Sequence, residues 1–195
     1  MKISNIKELE FKDSIYIKPK RYSFTNDGKN CVWDFIEAMD SVSILLYHKS
    51  LQSFVFVKQF RIALWFHQQK DANYIKDDNM GYTIELCSGL VDKQLSLEQI
   101  AKEECIEELG YSPKKLEKIG EFYTGFGSGA SKQTLYFAEI DEEDKISNGG
   151  GICEEVIESV FVKIEDFQEF VTKITRSPLL DYACLWFINK ANSNI

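Results

Sequence analysis

GLVDKQLSLEQIAKEECIEELGY, residues Gly89 to Tyr111, holds both the clearest helix signal in the chain and its densest run of acid. Ser96 stands where an N-cap belongs, and Gln99 three residues on completes a capping box. Gly110 fits the left-handed position that closes a helix. The spacing predicts a helix from Ser96 to Gly110, with Leu97, Ile100, Ala101 and Cys105 on its apolar stripe. Its other face carries Glu103, Glu104, Glu107 and Glu108. Glu104 and Glu108 are four residues apart and Glu104 and Glu107 three, so three carboxylates share one ridge. Like charges at this spacing destabilise a helix by about 0.2–0.5 kcal/mol per pair, and Lys102 is the nearest base. Two readings remain open: a solvated acidic face, or a site for a hard divalent cation such as Mg²⁺ or Mn²⁺.

Outward from this segment the chain reads as strands. Before it, residues 13 to 24 and Val32 to Glu37 alternate around the turn signal Asn26-Asp27-Gly28, which predicts an N-terminal hairpin with Trp33 and Phe35 on one face. Ser41 to Tyr47 and Ser53 to Phe60 are dense in Val, Ile and Phe, as buried strands are. Residues 67 to 81 are polar and aperiodic and predict a surface loop, followed by a strand from Tyr82 to Cys87. Beyond the helix, strands are expected at 118–124, 132–140 and 156–163, then helices from Ile164 to Lys190 interrupted near Ser177-Pro178. Strands, one helix, strands and helices in that order describe a mixed α/β (α+β) sandwich rather than a regular βαβ repeat.

The 195 residues suit one domain, with no repeat or linker to mark a boundary. Acids outnumber bases 31 to 23, and a net charge of −8 argues against nucleic-acid or anionic-membrane partners. No run approaches the about 20 apolar residues of a membrane span, and the first residues carry no apolar leader. Five scattered cysteines without a CxxC pair suggest free thiols and a cytoplasmic setting. His48 and His67 are the only histidines and form no zinc-ligand pattern, so catalysis would run on carboxylates.

The segment from Gly89 to Tyr111 resembles the Nudix box: G, five residues, E, seven residues, R-E-U-x-E-E-x-G-U, with U apolar. Gly89, Glu104, Cys105, Glu107, Glu108, Gly110 and Tyr111 match it in register. Leu95 and Glu103 stand where the box has a glutamate and an arginine that brace loop to helix. VWDFIEAMDSVSILLY (32–47), FVFVKQFRIALW (54–65), TIELCSGLVD (83–92), GFGSGASKQTLYFAEI (125–140) and GGGICEEVIESVFV (149–162) are similar to the nucleoside-diphosphate-sugar hydrolases of that family, most of all to its UDP-sugar diphosphatases.

The resemblance implies an α/β/α sandwich with a mixed central sheet, and Mg-dependent hydrolysis of a nucleotide sugar such as UDP-glucose or ADP-ribose. It implies Glu104, Glu107 and Glu108 as metal ligands with the Ser88 carbonyl, and a late-loop base among Glu154, Glu155 and Glu158, of which Glu155 fits best. Arg61 would hold phosphate with Glu85 beside it, and Ser131 or Lys132 would face substrate. Gly149-Gly150-Gly151 would let the late loop move as a lid. Residues 1–40 would supply the strands of a homodimer. Hydrolysis of another nucleotide, or a degenerate Nudix domain that only binds ligand, are the alternatives.

Overall fold

The computed structural model describes residues 3–12 and 14–193. Strands β1 (Lys18–Asn26) and β2 (Lys29–Glu37) form the expected hairpin, closed by Asp27 and Gly28 at φ 48° and 75°. The first strand begins at Lys18 rather than at Asp13, which lies outside the described residues. Nearly every hairpin side chain is exposed, Trp33 included, so the ribbon buries little of its own apolar surface. It touches the body through the Ile36 N–H, which donates to Ser128 O at 2.7 Å, and Trp33 Nε1, which donates to Gly127 O at 3.2 Å.

The body is a seven-stranded mixed sheet. At its centre β3 (Ser41–His48) runs parallel to β8 (Ser131–Ile140), and β7 (Glu117–Thr124) pairs antiparallel outside β8. β4 (Ser53–Phe60) meets β3 at only three residue pairs, Leu46–Val55 to His48–Ser53, and then the two strands part. Residues 82–90 fill the gap. β5 (Tyr82–Glu85) pairs with β4, the chain crosses at Leu86, and β6 (Cys87–Leu90) pairs with β3. The single strand expected from Tyr82 to Cys87 is thus two half-strands with different partners, because backbone groups left at a fork need partners from somewhere. β9 (Glu158–Lys163) closes the far edge of β4.

Alternation splits the core into two layers. Val42, Ile44 and Leu46 of β3, with Val55 and Val57 of β4, pack against Ile100, Ala101, Cys105 and Leu109. Leu45, Phe54 and Phe56 face the other way, toward Phe167, Val171, Leu180 and Cys184. Those last residues belong to α3 (Phe167–Val171) and α4 (Pro178–Ser193), so the fold is an α/β/α sandwich.

Two local expectations change. The polar loop predicted over 67–81 begins later, because α1 spans Ile62–Lys70. Its apolar residues are bunched at 62–66 rather than spaced at three and four, so the sequence pattern hides it. Gln68 is buried there and accepts from the Gly81 N–H at 2.7 Å, which folds the loop back. The helix expected over 96–110 is α2 (Leu97–Glu104) followed by a π-helical turn at Cys105–Leu109. The Ser96–Gln99 capping box is present in both directions, and Gly110 ends the turn at φ 81°.

The wide turn leaves carbonyls facing outward, and the Gly149–Gly151 segment docks on them. Gly150 N–H donates to Glu108 O at 2.9 Å and Gly151 N–H to Glu107 O at 3.0 Å. Gly150 and Gly151 therefore anchor the late loop to the acidic turn; their positive φ values aim the N–H groups. A Cβ on Gly110 would stand 2.2 Å from Ser147 O. Gly110→Ala is accordingly expected to cost at least about 1–2 kcal/mol, the left-handed penalty with a clash added. Urea unfolding measures it, and a loss within error of zero would contradict the docking described.

Candidate active site

The box residues line a cleft of about 830 Å³ at the fork of the sheet. β6 and the acidic helix form two of its walls, with Ser88 and Gly89 opposite Glu104, Glu107 and Glu108. Gly89 is required sterically: a Cβ there would sit 2.0 Å from Glu104 Oε1, so the carboxylate lies directly over the backbone. Glu108 is 4% exposed and accepts from the Ser88 N–H at 3.0 Å. That burial removes the solvated-face reading for Glu108.

Arg61 and Glu85 also line the cleft, joined bidentately by Nε–Oε1 at 2.9 Å and Nη2–Oε2 at 2.7 Å. Burial alone would raise the Glu85 carboxyl, but Arg61 and the Thr83 hydroxyl outweigh it and hold the group low. Hydrogen bonds to Glu85 raise Arg61 in turn, helped by the charges of Glu108 and Glu155. Glu154 and Glu155 enter from the late loop, and Ile152 N–H donates to Glu155 Oε2 at 3.3 Å. Glu158 lies instead in β9 opposite Lys58, outside the cleft lining.

Ser131 and Lys132 stand off from the cleft. Ser131 Oγ meets Thr124 Oγ1 at 3.2 Å, and the Lys132 ammonium lies 3.8 Å from Glu121. The β8 residue that reaches the cleft is Gln133. Lys93 was also missed. Its ammonium is 2.9 Å from Glu103 and 3.8 Å from Glu107. Loop and helix are thus joined by an ion pair at the very position where the box arginine is missing. The signal was a lysine in the connecting loop, ten residues from an unexplained glutamate; nothing in the spacing marks it as a partner.

Seven acidic side chains line the cleft (Glu85, Asp92, Glu104, Glu107, Glu108, Glu154 and Glu155) against two basic ones, both already ion-paired. Glu104 is pushed up to about 7 by burial, then by the charge of Glu107. Glu108 is pushed up to about 8, again mainly by burial. Such an excess of hard oxygen donors suits a divalent cation of the Mg²⁺ type. Among the described residues no three acidic, cysteine or histidine side chains already converge on one point for an ion. The donor set shares one cleft without being closed on a centre.

The chain matches no family-wide profile. It is 32% identical over 200 residues to the uridine diphosphate glucose pyrophosphatase NUDT14 of Mus musculus, covering 91% of this chain and 90% of that protein. The Bos taurus protein of the same name is 33% identical over 178 residues, covering 80% of each. A GDP-mannose pyrophosphatase of Cronobacter sakazakii is 32% identical over 142 residues, covering 73% of this chain and 68% of that one. The chain belongs to the Nudix family of pyrophosphohydrolases.

The raised carboxylates have a measurable consequence. Between the ordinary carboxylate value of 4.5 and about 8, folded Glu108 keeps a proton that the unfolded chain has released. The stability this contributes is complete below pH 4.5 and is lost as pH rises through 8; Glu104 acts likewise up to about 7. In EDTA, Glu108→Gln is expected to flatten the decline in urea midpoint between pH 5 and 8. Parallel curves for parent and variant would place Glu108 in water.

Proposed function

We propose that this protein hydrolyses the pyrophosphate bond of a nucleoside diphosphate sugar, giving a nucleoside monophosphate and a sugar phosphate. UDP-glucose is the first substrate to test and ADP-ribose the second. The names of the relatives support the substrate class. The observation that carries the chemistry is the acid-crowded cleft, which would repel a diphosphate unless cations were bound with it. Glu104, Glu107, Glu108 and the Ser88 carbonyl would hold Mg²⁺ or Mn²⁺. A bound divalent cation supplies charge neutralisation on the diphosphate and a more acidic water.

The protein's own groups do the rest. Arg61, steadied by Glu85, binds a phosphate oxygen and fixes the diphosphate in line for attack. Glu155 accepts the proton as the water oxygen bonds to phosphorus and the bridging P–O bond breaks. In this assignment Gln133 replaces Ser131 and Lys132 as the β8 contact. The degenerate-module alternative finds no support in the site, because the box glutamates share one cleft with Arg61 and Glu155.

The working form we propose is a cytoplasmic homodimer with neither nucleic acid nor membrane as partner. The charge of −8 supports the exclusion of nucleic acid and anionic membrane. The hairpin and the residues before it expose Leu9, Phe11, Ile15, Tyr22, Val32 and Trp33, each more than half accessible. A second copy is the natural cover for that surface.

Three measurements test this reading. UDP-glucose or ADP-ribose should be cleaved with Mg²⁺ and left intact in EDTA, and Glu155→Gln should lower kcat by about 10²–10⁴ with little change in melting temperature. Turnover that EDTA leaves unchanged would refute the metal assignment. Light scattering at micromolar concentration should return twice the monomer mass of 22.5 kDa; a value at 22.5 kDa refutes the dimer.

A further inference from the structure

A second chamber of about 740 Å³ lies on the α4 side of the sheet, beneath β3, β6 and β8. It shares Glu85, Ser88 and Gln133 with the carboxylate cleft, so the two form one recess parted at these side chains. Ser43 Oγ and Ser88 Oγ are 2.8 Å apart, and Gln133 Nε2 donates to Ser43 Oγ at 2.7 Å. These polar groups sit two residues from Leu45 of β3, Leu135 of β8 and Leu86 at the crossing, which enter the apolar core. Packing alone would favour apolar side chains at all three positions.

The chemistry of the lining narrows the occupant. Two charged side chains reach the chamber, and both are already engaged. Glu85 is paired with Arg61, and Arg176 Nε donates to Asp181 Oδ1 at 2.6 Å. The one cation lining the chamber, Arg176, is held by both Asp181 and the Val171 carbonyl. The remaining polar groups are the Gln133 amide and hydroxyls, among them Thr83, Thr124, Thr175 and Ser177, with Phe122 and Tyr182 as an apolar wall. Hydroxyl and amide groups facing one apolar wall suit an uncharged ring with hydroxyls at its edge. A nucleobase fits less well, because Phe122 and Tyr182 meet edge to face at 5.0 Å and 67°, leaving no parallel slot between them. The opposite end of the cleft reaches Tyr16, whose exposed ring is available for stacking.

We propose that this chamber receives the glycosyl group of the substrate, with Gln133, braced by the buried Ser43–Ser88 pair, reading its hydroxyls. The inference rests on the pyrophosphohydrolase reading above. It places the diphosphate between chamber and carboxylates and the nucleoside at the outer end of the cleft. Sugar selectivity then belongs to β8 and the start of α4, and base selectivity to other residues.

Two variants test it. Thr124→Trp fills the chamber from an exposed strand position that tolerates an aromatic residue. Gln133→Leu removes the amide without adding bulk. Kinetics with Mg²⁺ are compared on UDP-glucose, GDP-glucose and the methyl ester of UDP, in which methyl replaces glucose. Both variants should raise KM for UDP-glucose about tenfold or more and move KM for the methyl ester less than about twofold. The preference between UDP-glucose and GDP-glucose should stay as in the parent. Equal loss on glucose and methyl compounds, or no loss on either, overturns the proposal. A shifted base preference overturns it too, by putting the nucleoside in the chamber. If Thr124→Trp does not fold, Gln133→Leu decides alone. A parent inactive on all three compounds defeats the underlying reading and this proposal with it, whereas an active parent with unmoved variants defeats the chamber only.

Discussion

The divergence of β3 from β4 is the constraint on which the rest of this structure depends. After three shared pairs the strands separate, and each presents backbone groups that need partners. Residues 82–90 satisfy both by pairing first with β4 and then with β3. The crossing sets Glu85 at the end of one half-strand and Ser88 within the other. Three of the groups proposed to act in the cleft are referred to that crossing: Arg61 through Glu85, Glu108 through the Ser88 N–H, and Glu104 through its seat over Gly89. A continuous sheet would have left no recess for these groups.

Electrostatics at the fork opposes stability. Burial of Glu108 and of Glu104, the latter also beside the charge of Glu107, favours protonated carboxyls on these two side chains. The fold anchors the backbone on both sides of them. Ser96 and Gln99 cap the entry to the helix, while Gly150 and Gly151 satisfy carbonyls at its exit. The late loop that carries Glu155 is therefore tied to the turn that carries Glu107 and Glu108. The connection is made at Gly150 and Gly151, because positive-φ glycines can aim N–H groups where other residues cannot.

Lys93 and Glu103 show how a missing brace is replaced. The Nudix box uses a glutamate and an arginine, and this chain has Leu95 and Glu103 in their places. With the acid now on the helix, the base comes from the loop, and the ion pair closes at 2.9 Å with its polarity reversed. The pair is half exposed, so its direct energy is small, on the order of 0–1 kcal/mol. Its effect is positional. Lys93 also stands 3.8 Å from Glu107 and partly offsets the acidity of the ridge.

The capping box, the closing glycine, the Asp27-Gly28 turn and the two buried central strands were legible in the sequence, because each depends on neighbours a few residues away. So was the set Glu104, Glu107, Glu108, Arg61, Glu85 and Glu155, through motif resemblance, and the cleft gathers all six. Helix α1 was not, since its apolar residues are bunched and Gln68 finds its partner in Gly81, thirteen residues on. Nor were the break at Leu86, the Lys93–Glu103 pair, or Gln133 in place of Ser131 and Lys132. Each depends on which strand lies beside which and on the face a side chain takes. Local pattern sets propensity over a few residues; the fork in the sheet, which decides all of these, exists only once strands distant in the chain have met.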